Sequence, residues 1–176
     1  ANVFKTYCIN KDIWQLMTKV YLLTGGNMGD RAGALQKARE LIEAQCGTLT
    51  AVSSLYETAA WGKEDQPAFL NQALELQTSL SARQLIRRIL KLEKQMGRLR
   101  EEKYGPRLID IDILLYGSEI HDYPLLKVPH PELPNRRFAL LPLKEIAAAL
   151  VHPRLQLTIT QLLELCPDPL EVKKYS

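Results

Sequence analysis

The sequence predicts an α+β fold, a β-α-β-β-α-β core with an antiparallel sheet and a C-terminal helical extension. Three observations point there. Apolar residues recur at helical spacing in two segments, 31–45 and 82–96. Alternating or wholly apolar runs of strand length stand before, between and after them. Gly or Pro marks the ends of most of these segments. In that order the elements form the ferredoxin-like pattern.

Each element has its local reason. Val20–Thr24 is a short apolar strand closed by Gly25-Gly26. Asp30 is placed to cap a helix from Arg31 to about Gln45, with Ala34, Leu35, Ala38, Leu41 and Ile42 as its apolar stripe, and Cys46-Gly47 ends it. Thr48–Thr58 is β-rich and alternating, and a polar loop, AAWGKEDQP, follows. Phe69–Leu80 is a second alternating strand, with Leu70, Leu74 and Leu76 on one face and Phe69, Asn71 and Ala73 on the other. Ser81-Ala-Arg-Gln84 has the form of a capping box, and the helix it opens runs to Met96 with Leu85, Ile89, Leu92 and Met96 inward, until Gly97 stops it. Ile109–Tyr116 is the fourth strand. A proline-rich, mostly irregular stretch leads to Asn135, and helices are expected near Arg136–Leu150 and Thr160–Leu165. Residues 1–19 stand outside this pattern and read as an N-terminal extension of unknown role before one domain, 20–176.

A chain of 176 residues that is 46% hydrophobic can bury a core of its own. Cys8, Cys46 and Cys166 are scattered and odd in number, without a CxxC pair, which suits a reduced, cytoplasmic protein without structural zinc. His121, His130 and His152 lack metal-ligand spacing. No apolar run approaches the ~18 residues of a membrane span, and the N-terminus lacks the apolar core of a signal peptide. The net charge of +3 is unevenly placed: residues 83–107 hold nine Lys/Arg against three Glu. Such a concentration suggests an anionic ligand nearby, although a solvated helix face gives the same composition.

The sharpest chemical signal is YGPRLIDIDILLYG, residues 104–117. In a strand, Asp110 and Asp112 point to one face, their Cβ atoms roughly 6–7 Å apart, while Ile109, Ile111 and Ile113 line the other. Two like charges on a half-buried face call for a compensating cation. Mg²⁺ suits that place, because it takes one or two carboxylates together with waters and phosphate oxygens. A solvated acidic pair at a strand edge has the same pattern. Arg83, Arg87, Lys91, Lys94 and Arg98 form a basic stripe on the helix before it, and Arg98, Arg100, Lys103 and Arg107 occupy the loop leading to the aspartates. Arginines there could clamp phosphates by charge-assisted hydrogen bonds and close over them. Glu93, at the border of the apolar stripe, is either an ion-pair partner or a ligand contact. Phe69 and Asn71 on one strand face, with Trp61 in the loop before, would suit a flat heterocycle, though a lone Phe is more often core. Gly25–Arg31 (GGNMGDR) lacks the spacing of a phosphate loop and reads as a tight turn capped by Asp30.

Together these pieces resemble the 6-hydroxymethyl-7,8-dihydropterin pyrophosphokinases of folate biosynthesis, from about Lys19 to Leu165. Lys103-Tyr-Gly-Pro-Arg107-Leu-Ile-Asp110-Ile-Asp112-Ile-Leu114 looks like that family's signature. Gly25-Gly26-Asn27, Asp65-Gln66-Pro67 with Phe69-Leu-Asn71, Gly97-Arg98-Leu-Arg100, and Pro129-His130-Pro131 through Arg136, Phe138 and Pro142-Leu143 follow in the family's order. The resemblance implies transfer of the β,γ-pyrophosphoryl group of ATP to the pterin's hydroxymethyl oxygen, leaving AMP. It implies that Asp110 and Asp112 bind two Mg²⁺ ions. One would bridge the α- and β-phosphates, the other the β- and γ-phosphates and the attacking hydroxyl.

By the same resemblance Arg98, Arg100, Lys103 and Arg107 clamp phosphates, Arg98 and Arg107 acting in catalysis with the aspartates. Glu93, Tyr104, Ile113, His130 and Arg136 match ATP-contacting positions. Thr58, Ala59, Trp61, Phe69, Asn71, Tyr104 and Phe138 match the pterin site. The implied partners are these two small substrates and neither nucleic acid nor membrane, and the implied state is a monomer. The chain departs from the family at Tyr104, where Trp is frequent, at Lys103 for Arg, at Ala60 for Pro and at Leu90 for Gln, which bears on nucleotide affinity and loop stiffness. The rival readings are a ferredoxin-like RNA-binding module and a DxD nucleotidyltransferase. FLNQALEL lacks the surface aromatics of the first, and the Gly-Pro-Arg lead-in and Pro-His-Pro segment argue against the second.

Overall fold

The computed structural model describes residues 16–60, 65–97 and 108–176. Its elements are β1 (Thr18–Gly26), α1 (Arg31–Gln45), β2 (Thr48–Val52), β3 (Tyr56–Thr58), β4 (Phe69–Thr78), α2 (Ala82–Gln95), β5 (Asp110–Tyr116), β6 (His121–Tyr123), β7 (Leu126–Val128), α3 (Arg137–Ala147), α4 (Ile159–Leu165) and β8 (Val172–Lys174). A 3₁₀ turn, Leu133–Asn135, precedes α3.

One six-stranded antiparallel sheet runs β5-β1-β4-β3-β8, with β2 also pairing β4. Its two faces carry different layers. Val20, Leu22, Leu70, Leu74, Leu76, Ile111 and Ile113 pack against α1 and α2, whereas Tyr21, Leu23, Ala73, Leu114 and Leu115 pack against α3 and α4. Period-two alternation thus separates two hydrophobic clusters across the sheet. In β5 the alternation slips where Leu22 pairs Ile113 but Tyr21 pairs Leu115, which leaves Leu114 as a bulge. Its carbonyl accepts the His130 N–H at 2.8 Å.

The helix ends match their sequence signals. Asp30 accepts from Gly33 N–H at 3.0 Å, Ser81 and Gln84 form the reciprocal capping box, and Gly97 takes a positive φ of 85°.

Three features differ from expectation. Thr48–Thr58 is two strands, because the Ser53 hydroxyl, where a backbone carbonyl would stand, accepts the Ala73 N–H at 2.9 Å. The stretch to Asn135 contains the β6–β7 hairpin. Beyond α4 the chain returns to the sheet as β8, beside β3, so the C-terminal extension is not wholly helical.

Candidate active site

A cleft of about 530 Å³ opens on the face of the sheet that carries α3 and α4. Its floor comes from β1, β4 and β5 through Leu23, Gly25, Phe69, Asn71, Asp110 and Asp112. Thr58 and Ala59 bound it at the end of β3, and Arg136 and Phe138 at the start of α3. Eight residues expected at the site from sequence therefore share one space: Thr58, Ala59, Phe69, Asn71, Asp110, Asp112, Arg136 and Phe138.

The two aspartates sit half-buried on alternate positions of β5, with Ile111 buried on the opposite face. Among the described residues no group of three or more His, Cys, Asp or Glu is gathered to hold a metal alone. A pair of hard carboxylate donors beside a cleft fits an ion that completes its shell with water and ligand oxygens, as Mg²⁺ does.

At the other end, Thr58 is 3% exposed, and its hydroxyl lacks a hydrogen-bond partner among the described residues. Thr58 borders the cleft while its orphan hydroxyl is closed off from solvent. Asn71 is also buried, and Phe69 and Phe138 supply flat apolar surface. The Arg136 guanidinium lies 5.7 Å from the centre of the Phe138 ring.

Three expected residues are placed otherwise. Glu93 is 2% exposed, and its Oε1 accepts the Ile111 N–H at 3.3 Å, so it contacts the strand that bears the aspartates. Ile113 buries its side chain against α1 and α2. His130 adjoins the cleft: its Nδ1 accepts the Glu132 N–H at 3.1 Å, and burial, aided by Arg136, holds its imidazole down at about 4 against the opposing pull of Glu132 and Asp110. It is neutral at neutral pH. The exposed arginines and lysines of α2 (Arg83, Arg87, Lys91 and Lys94) lie in the layer opposite the cleft, so that part of the basic segment is a solvated helix face. Trp61, Arg98, Arg100, Lys103, Tyr104 and Arg107 lie outside the described residues.

The cleft also contains residues outside the set expected at the site. Glu132 and Asn135 come from the turn before α3, and Asp168 and Leu170 from the segment before β8. An Asp between two prolines reads as a turn, and only the fold brings it to the cleft.

The family model for 7,8-dihydro-6-hydroxymethylpterin-pyrophosphokinase (HPPK) matches residues 21–148. The chain belongs to this family. The 2-amino-4-hydroxy-6-hydroxymethyldihydropteridine pyrophosphokinase of Aquifex aeolicus is 47% identical over 137 residues, which cover 78% of this chain and 85% of that protein. The enzyme of the same name from Haemophilus influenzae is 35% identical over 158 residues, 89% of this chain and 98% of its own. A crystal structure of Plasmodium falciparum HPPK-DHPS matches the fold with a TM-score of 0.67 at 16% identity, over 84% of this chain and 43% of that longer one. Membership in the pyrophosphokinase family leaves the RNA-binding and nucleotidyltransferase readings without support. No described helix is long and apolar enough to cross a membrane.

Proposed function

We propose that this chain transfers the β,γ-pyrophosphoryl group of ATP to the hydroxymethyl oxygen of 6-hydroxymethyl-7,8-dihydropterin, yielding AMP and the pterin pyrophosphate in folate biosynthesis. Family membership supports the reaction. The observation that carries the assignment to this cleft is the union, in one space, of a paired-carboxylate end with an aromatic-amide end.

Phe69 and Phe138 stack on the pterin, while the Asn71 amide and the backbone around Thr58 bond its polar edge. Asp110 and Asp112 would hold the two Mg²⁺ ions, which would supply neutralisation of phosphate charge and a lowered pKa for the attacking hydroxyl. Arg136, half-buried at the cleft, contributes a fixed positive charge for the nucleotide. Neutral His130 serves as a hydrogen-bonding group beside it. Glu93 and Ile113 support the nucleotide side, Glu93 by fixing β5 and Ile113 through its backbone.

The substrate oxygen attacks the β-phosphorus, a new P–O bond forms, and the bond to the α-phosphate oxygen breaks, with its electron pair leaving on AMP. Such a displacement depends on alignment and charge neutralisation more than on covalent help. Arg98, Arg100, Lys103 and Arg107 would clamp the phosphates, with Arg98 and Arg107 catalytic, and Tyr104 and Trp61 would complete the walls.

The strand order supports reading the core as ferredoxin-like. We read one domain that takes in Thr18 and Lys19, which pair Thr78 and Gln77 in the sheet, so any N-terminal extension is shorter than the expected 1–19. We read the chain as a monomer whose partners are these two small molecules. Buried free Cys46 and Cys166 suit the cytoplasm.

Phosphorus NMR of the protein with ATP, Mg²⁺ and the hydroxymethyldihydropterin tests the reading. AMP with a pterin pyrophosphate is expected. ADP, free pyrophosphate or unchanged ATP over a folded protein would overturn it.

A further inference from the structure

Arg136 and Arg137 are adjacent, yet they face different neighbours. Arg136 lines the cleft. Arg137, the first residue of α3, turns to the segment before β8: its Nε donates to the Asp168 carbonyl at 3.2 Å and its Nη2 to the Cys166 carbonyl at 3.4 Å. The N-terminus of α3 is poorly provided for by its own sequence. Arg136, in the cap position, supplies no side-chain hydrogen bond, and the first turn contains no acidic residue. Two arginines at the positive end of a helix dipole are unfavourable, and the first helical N–H groups need an acceptor.

Asp168 meets both needs from a distance in sequence. It is 8% exposed. Its Oδ2 accepts the Arg137 N–H at 3.1 Å, and its Oδ1 accepts the Leu170 N–H at 3.0 Å. The same carboxylate therefore fixes the start of α3 and the cleft-lining turn that ends in Leu170. Phe138 and Arg136, one residue to either side of the bonded amide, both line the cleft.

Given the pterin reading of this cleft, we infer that Asp168 is a positioning residue for the pterin end: by capping α3 from outside the helix, it sets Phe138 and Leu170 against the bound ring. It acts through Arg137 and the helix start, with both carboxylate oxygens already engaged by backbone amides. Misplacing an aromatic wall weakens ligand binding without altering the reacting groups.

The test is steady-state kinetics of Asp168→Ala and Asp168→Asn in the full chain, with thermal unfolding of each. Asp168→Ala should raise the KM for the pterin about tenfold and leave the KM for ATP within about twofold. Asp168→Asn retains an acceptor oxygen for the Arg137 N–H and should recover about half of that loss on a logarithmic scale. If Asp168→Ala does not fold, Asp168→Asn alone decides, with an expected pterin KM about threefold above wild type. Pterin KM unchanged in a folded variant overturns the inference, as does an equal rise in both KM values. Wild-type protein that neither binds the pterin by fluorescence titration nor makes AMP would instead overturn the functional reading.

Discussion

Gly25 and Asn71 face one another across the β1–β4 pair, and a Cβ on Gly25 would lie 2.3 Å from Asn71 Oδ1. The amide lies over the bare strand because nothing projects from Gly25. Gly25→Ala would displace the end of one side chain, a small change for stability but a direct one for the cleft. The expected outcome is a Tm within about 3 °C of wild type and a pterin KM raised about tenfold, read by thermal unfolding and steady-state kinetics.

Asp112→Ala removes one carboxylate of the pair on β5. Turnover should fall by at least about a thousandfold while the far-ultraviolet circular dichroism is retained. In wild type, Mg²⁺ with ATP should raise the Tm, since ligands of the native state stabilise it. That shift should vanish in the variant, and its persistence would place the metal elsewhere.

Glu93 reaches from α2 to the outward amide of Ile111, and both residues are buried. Glu93→Ala leaves that N–H without this acceptor, at an expected cost of about 1–3 kcal/mol. Glu93→Gln keeps an acceptor oxygen and should lose less. Urea unfolding of the two variants gives the comparison, and equal losses would count against the hydrogen bond as the cause.

His130 makes stability depend on pH with a definite sign. Above about 6.5 the imidazole is neutral in both folded and unfolded chains, so its contribution is fully present. Between 6.5 and about 4 the unfolded chain takes up a proton that the folded one refuses, and stability falls as pH falls. Below about 4 the loss levels off. His130→Gln should flatten the stability profile within that window, as measured by urea unfolding at a series of pH values.

What the sequence made legible was whatever is local. Asp30, Ser81 with Gln84, and Gly97 mark helix ends by contacts within four residues, and the structure has those ends. Alternation in Phe69–Thr78 put Asn71 and Leu70 on opposite faces, and they lie there. The features that escaped depend on distant partners. Ser53 breaks a strand through a bond to Ala73, and Leu114 bulges where β5 meets β1. Val172–Lys174 is short and charged, with little strand signal until β3 is set beside it. Asp168 meets Arg137 for the same reason, far apart in sequence and adjacent in the fold. The basic stripe of α2 fitted both a ligand surface and a solvated face, because charge density along the chain carries no information about which layer a helix joins.

The pairing of β3 with β8 bears on how the enzyme is made. Thr58, at the cleft, pairs in register with Val172, more than half the chain later. During synthesis every other described element leaves the ribosome before the segment that supplies Asp168, Leu170 and β8. A nascent chain can bury both hydrophobic clusters around the first five strands while one wall of its cleft is still missing. Joining so distant a pair is a late event in folding, because loop closure must come before the contact. Closure of the cleft thus waits until synthesis has passed β8, and a chain truncated before β8 would be folded in large part yet open at one wall of the cleft.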